Sequence, residues 1–168
     1  TLKAISDKGE DGFYKGTVGA DIVAASRAGG GILTQADLDQ YRTRELKPIE
    51  CDYRGYHVIS APPPSSGGVI ICEMLNVLEG YPLKDWGYRS AQGVHVQIEA
   101  MRHAYVDRNS YLGDPDFVKN PTERLLSKDY ATQLRAAIDP AKAGVSQNIK
   151  PGVAPHEGSN TTHYSIVD

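Results

Sequence analysis

Val94, Ile98, Met101 and Tyr105 recur at intervals of four, three and four residues, the spacing that stacks side chains on one face of an α-helix. Ser90 opens this run and Gly113 closes it, so the pattern predicts the longest helix of the chain over 90–112, with the apolar row turned to the core. A second helix is expected after Ser65-Ser66, either of which can cap it. Its Ile70, Met74 and Leu78, with Ile71 and Leu75 beside them, make an arc broad enough to predict burial before the stop at Gly80. A third runs from Ser127 to Ile138 through Tyr130, Leu134 and Ile138. Nearer the start, Leu2 and Ile5 predict a helix from Thr1 to Lys8 ending at Gly9, and Val18, Ile22 and Ala25 predict one over Thr17 to Ala28. Thr34-Gln35-Ala36-Asp37 resembles a capping box with Asp in place of the usual Glu or Gln, opening a short helix to about Tyr41.

Two stretches switch to a period of two. Ile49, Cys51 and Tyr53 alternate, Arg54-Gly55 can turn the chain, and Tyr56 to Ser60 returns, which predicts a β-hairpin. Pro62-Pro63-Pro64 then prevents further ladder bonding. At the other end, Thr162, Tyr164 and Ile166 alternate with His163, Ser165 and Val167, the pattern of a half-buried strand. The preceding run from Val153 to Asn160 holds Pro, Gly, Ser and Asn without periodicity and reads as a loop. The class is therefore α+β: mainly helices, one hairpin and one terminal strand whose open edge calls for a continuation.

Composition narrows the range of functions. A chain of 168 residues fits one domain, and 40% hydrophobic residues with 17 Gly and 10 Pro describe a loop-rich soluble protein. The net charge is -3 and no basic stripe is present, which argues against nucleic acid as a partner. No apolar run approaches the ~18 residues of a membrane span. With only two cysteines, Cys51 and Cys72, in a strand-like and a helix-like segment, the expectation is a pair of buried or half-buried free thiols, with no metal spacing.

Several motifs invite chemical readings. Gly29-Gly30-Gly31 follows a helix, lacks a following Lys-Ser/Thr, and reads as a helix-ending turn rather than a phosphate loop. Ser65-Ser66-Gly67-Gly68 lacks the order of a nucleophile elbow; it reads as a tight strand-to-helix junction or as the wall of a substrate cleft. His95, Glu99 and His103 fall on one helical face, but two turns span about 12 Å, too far for all three to reach one ion, so a solvated polar face is expected. Asp107-Arg108 is expected to anchor a neighbouring segment.

The sharpest candidate is Thr161, at the junction of loop and strand. Cleavage of the Asn160-Thr161 bond would leave it with a hydroxyl nucleophile and, on the same residue, an α-amine with a pKa of about 8 to serve as base.

The segment Thr161-Thr162-His163-Tyr164-Ser165-Ile166-Val167-Asp168 resembles the processing site of the γ-glutamyltransferase family. Phe13-Tyr14-Lys15-Gly16, Gly30-Gly31-Ile32-Leu33-Thr34, Pro62-Pro63-Pro64-Ser65-Ser66-Gly67-Gly68, Tyr105-Val106-Asp107-Arg108 and Gly113-Asp114-Pro115-Asp116 resemble large-subunit blocks of that family, in the same order. The resemblance implies an N-terminal-nucleophile hydrolase fold, an αββα sandwich. Residues 1–160 would be the C-terminal portion of the large subunit and 161–168 the first strand of the small one. It implies self-cleavage at Asn160-Thr161 and then catalysis by Thr161 on glutathione or another γ-glutamyl donor, with an amino acid or peptide as acceptor and no metal or organic cofactor. Thr162, His163 and Tyr164 would support the site. It also implies the remaining parts of both subunits as partners and a periplasmic or secreted location. The oxyanion and donor-binding groups would lie beyond Asp168, leaving the isolated chain inactive. A related glutaryl or cephalosporin acylase is the alternative within the fold, and a non-catalytic helical module binding through an open strand edge is the alternative outside it.

Overall fold

The computed structural model describes residues 1–149. The strand expected from Thr162 and the loop before it lie outside the described residues. Although its length fits one domain, the chain divides into two units, Thr1–Glu45 and the part from Leu46 onward.

The first unit is a run of short helices: α1 (Leu2–Lys8), α2 (Asp11–Tyr14), α3 (Gly16–Ala28) and α4 (Gln35–Gln40). The sequence pattern anticipates α1, α3 and α4; α2, at four residues, is too short to display a period. Asp37 does close the capping box of α4. Its carboxylate accepts from the Thr34 backbone N–H at 2.7 Å while Thr34 Oγ1 accepts from the Asp37 N–H at 3.3 Å, and these Thr34 contacts hold the Asp37 carboxyl below its ordinary range. Gln35 Nε2 donates to the Tyr14 carbonyl at 3.0 Å, tying α4 to the end of α2. The residues this unit buries are Gly12, Gly19 and Val23, while Leu2 and Ile32 stand open, so its helices have little core of their own.

The second unit begins with the hairpin, β1 (Ile49–Tyr53) and β2 (Tyr56–Ser60), paired antiparallel with Cys51 opposite Val58. Arg54 and Gly55 both take positive φ, 50° and 87°, the left-handed pair that a two-residue turn between right-twisted strands requires. Then come α5 (Gly67–Leu78), α6 (Leu83–Trp86), α7 (Ala91–Tyr111), α8 (Thr122–Leu125) and α9 (Lys128–Ala137). The single-turn helices α6 and α8 are not legible in the sequence, for the same reason as α2. Ser90 and Ser127 cap α7 and α9 by accepting from the backbone N–H groups of Gly93 and Tyr130. Ser66 stands at the start of α5 but makes no side-chain cap bond.

α5 is the centre of this unit, packed by the hairpin on one side and by α7, α8 and α9 on the others. It enters at a junction only glycine allows: a Cβ on Gly68 would lie 2.5 Å from the carbonyl oxygen of Ala61. One core cluster joins Val77 and Leu78 to Val96, Ala100, Ala131, Leu134 and Ile138; the other joins Val69 and Cys72 to Ile49 and Leu125. Tyr130 packs against both.

Two sequence expectations are corrected. The apolar row of α7 faces outward: Val94, Ile98, Met101 and Tyr105 are 41–50% exposed. The buried row is instead Gly93, Val96, Ala100 and Ala104 with Glu99 and Asp107, because small side chains let α7 approach α5 closely. Cys51 and Cys72 are not free thiols but a disulfide, with Cα atoms 5.9 Å apart, which staples β1 to the buried side of α5.

Candidate functional site

The sequence-predicted site, Asn160, Thr161, Thr162 and His163 with Tyr164, lies outside the described residues. What the structure shows is the frame from which the chain sets out toward it. After α9 the backbone runs back along α7 and is fastened there three times. His95 Nε2 lies 2.8 Å from the Asp139 carbonyl oxygen, the Gly144 N–H donates to Glu99 Oε1 at 3.2 Å, and the Arg102 guanidinium donates to Ser146 Oγ at 3.0 and 3.2 Å. Arg102 also pairs with Glu99, which is 4% exposed. A turn of 3₁₀ helix, Ser146–Asn148, follows. Thus one face of α7 serves as the track on which residues 139–146 are laid.

This use of α7 corrects the reading of His95, Glu99 and His103 as a solvated face. Glu99 is buried and charge-paired, His95 holds a backbone carbonyl, and His103 is half-buried, its imidazole pushed down in pKa by burial. Among the described residues, no three His, Cys, Asp or Glu groups are placed to hold a metal ion. The hairpin carries a smaller cluster, in which His57 contacts Asp52 at 2.8 Å and Glu50 at 3.4 Å; the bond to Asp52 raises its pKa. All three side chains are largely open to solvent, where such pairs contribute little.

The other sequence candidates resolve as structure. Gly29-Gly30-Gly31 ends α3, with the Gly31 N–H returning to Ser26 O at 2.7 Å. Ser65-Ser66-Gly67-Gly68 is the tight junction already described, and Ser66 Oγ accepts from Arg108 Nε at 3.1 Å. Asp107 and Arg108 do anchor neighbours, Arg108 holding that junction and Asp107 accepting from Tyr130 Oη at 2.6 Å. A groove of about 590 Å³ does lie near the junction, but Pro62, Pro63, Pro115, Lys47 and Lys119 line it rather than Ser65 to Gly68.

Sequence reasoning missed the polar clamp around Asn76. This buried side chain donates to Leu126 O at 2.9 Å and accepts from Lys128 Nζ at 2.6 Å, while Lys128 also meets Glu79 at 2.6 Å and lowers its pKa. Arg135 Nη1 donates to the Asn76 carbonyl at 2.7 Å, satisfying one of the orphan carbonyls at the end of α5. An Asn on an apolar helix was the available signal; its partners are about fifty residues away, at separations of 50 and 52.

The family model for γ-glutamyltranspeptidase matches residues 1–168, the whole chain. The chain belongs to the γ-glutamyltranspeptidase family. A glutathione hydrolase proenzyme of Pseudomonas sp. (strain A14) is 77% identical over 168 residues, covering 100% of this chain and 29% of that relative. The acylase ACY 1 proenzyme of Pseudomonas sp. (strain SE83) is 41% identical, covering 100% of this chain and 30% of that relative. The crystal structure of Helicobacter pylori γ-glutamyltranspeptidase superposes with a TM-score of 0.82 at 43% identity, covering 95% of this chain and 46% of that one. The fold is therefore that of the γ-glutamyltranspeptidases, as the sequence resemblance implied, and the chain spans about 30% of the length of the curated relatives it matches.

Proposed function

We propose that this chain is part of a precursor that cuts itself at Asn160-Thr161 and then transfers or hydrolyses γ-glutamyl groups from glutathione and similar amides. The observation that carries this reading is the 77% identity to a glutathione hydrolase proenzyme across the whole chain. In maturation the Thr161 hydroxyl adds to the Asn160 carbonyl carbon, the C–N bond breaks, and the nitrogen becomes the new α-amine. Water then hydrolyses the resulting ester. In turnover the same hydroxyl, deprotonated by its own amine, takes the γ-glutamyl acyl group, and the donor's amine leaves with the proton. Water or the amine of an amino acid or peptide then accepts the acyl group. On this reading residues 1–160 belong to the large subunit and 161–168 open the small one, with Thr162, His163 and Tyr164 beside the nucleophile.

The test is to express the full-length parent as wild type and as Thr161→Ala, then read subunit masses and the terminal sequence of any smaller product. A product beginning Thr-Thr-His-Tyr-Ser in the wild type, absent from the variant, is expected. A single uncut, folded chain in both would sink the reading and favour the binding module. The isolated 168-residue chain is expected to release no p-nitroaniline from a γ-glutamyl anilide, since it would lack the oxyanion groups of the small subunit.

The 41% identity to an acylase proenzyme, with the likeness to a solved cephalosporin acylase of Bacillus halodurans at 36% identity, supports a second reading, an acylase that prefers glutaryl or cephalosporin side chains. Relative rates on γ-glutamyl and glutaryl amides decide between them. The Cys51–Cys72 disulfide supports a periplasmic or secreted location, because such bonds persist in oxidising compartments. Recovery of the parent in the cytosolic fraction would count against it.

A further inference from the structure

Glu73, in the middle of α5, is 1% exposed, and neither of its carboxyl oxygens has a hydrogen-bond partner, the one such case among the buried side chains of the described residues. The group that bears on it from α7 is Asp107, itself 4% exposed, whose Oδ2 already accepts from Tyr130 Oη at 2.6 Å. Two ionised carboxylates can only accept, so facing each other they would leave Glu73 without a donor and bury two like charges together. A proton on Glu73 removes both faults, because the neutral acid can donate to Asp107.

We propose that Glu73 and Asp107 share one proton at neutral pH, with Glu73 donating to Asp107, and that this buried pair fastens α5 to α7 as a catch that opens on alkalinisation. The surroundings agree from every side. Tyr130 from α9 donates to Asp107, and burial together with that carboxyl raises its own pKa, so it stays a phenol. Arg124 from α8 sits 4.8 Å from the centre of the Tyr130 ring, and it is the cation that works against protonation of Glu73. His103 of α7 also bears on Asp107, and burial holds its pKa down, so it supplies no compensating charge at neutral pH. The hairpin residues Ile49, Val58 and the disulfide-bonded Cys51 pack with Val69 and Cys72 of α5, and none of them titrates.

Burial first, and Asp107 second, push Glu73 from its ordinary 4.5 up to about 9. A carboxyl whose folded pKa is raised contributes stability that is complete below its unfolded pKa and is lost as pH rises to the folded one. The window here runs from about 4.5 to about 9. Within it the ratio of folded to unfolded protein should fall about tenfold per pH unit on account of this group.

The experiment compares thermal unfolding midpoints of the full-length parent and its Glu73→Gln variant from about pH 5 to about pH 10; the amide keeps the shape and supplies a permanent donor. The wild-type midpoint should fall relative to the variant across the window and then run parallel to it. A difference that does not change with pH overturns the proposal. Infrared spectroscopy of the wild type provides an independent measurement that does not depend on the variant folding. A protonated-carboxyl C=O band is expected at neutral pH and should vanish above about pH 10; absence of that band at neutral pH overturns the proposal as well.

Discussion

α5 and α7 pack against each other, yet their sequences describe them very differently. α5 is apolar on most sides, and the structure buries it: Val69, Ile70, Cys72, Val77 and Leu78 all face the core, with Ile71, Met74 and Leu75 half-buried beside them. α7 carries a clear apolar row and leaves it open, burying two alanines, a glycine, a valine and two acids. Hydrophobic periodicity thus identifies both helices but orients only one. The difference teaches that a long apolar side chain is not what a close helix crossing selects. Where two backbones approach, side-chain volume decides, and Ala100 and Ala104 occupy the crossing because larger residues would separate the helices.

Three substitutions probe this contrast. The largest effect is expected where α5 is covalently held: Cys72→Ser opens the 21-residue separation closed by the disulfide and should cost about 3 kcal/mol in denaturant unfolding. Unchanged stability would mean that packing alone holds the hairpin to α5. Next, Ala100→Leu on the buried row of α7 should destabilise by about 2 kcal/mol through overpacking, despite adding apolar surface. If that substitution proves neutral, the crossing is looser than its burial indicates and the explanation from side-chain volume fails. The smallest effect belongs to the open row: Ile98→Ala in this chain should change stability by less than about 0.5 kcal/mol. A loss comparable to that at Ala100 would mean the row is covered in solution. All three can be read from the same urea titration followed by circular dichroism, with the slope checked for constancy.

The candidate site divides along similar lines. Thr161 stands out as a candidate because its neighbours spell a motif, not because a Thr after a loop is unusual. The fastening of residues 139–146 along α7 was not legible, since His95, Glu99 and Arg102 reach Asp139, Gly144 and Ser146, residues roughly forty-five positions on, at separations of 44 and 45. Long separations along the chain likewise hid that Asp107 bears on Glu73 and that Leu126 and Lys128 clamp Asn76. A charged residue in an apolar helix shows that something must compensate it; only the fold shows what does.

By itself, the sequence determined where elements begin, end and turn. Thr34, Ser90 and Ser127 cap their helices, Gly9 and Gly29 end theirs, Arg54-Gly55 turns the hairpin, and the Thr161 motif marks the family. These features depend on hydrogen bonds and backbone angles within three or four residues, which any reader of the chain can inspect. The tertiary structure alone decided which side of α7 is buried, that Cys51 meets Cys72, and that two acids share the interior. Those outcomes depend on how closely one element approaches another, and local sequence carries no measure of that distance.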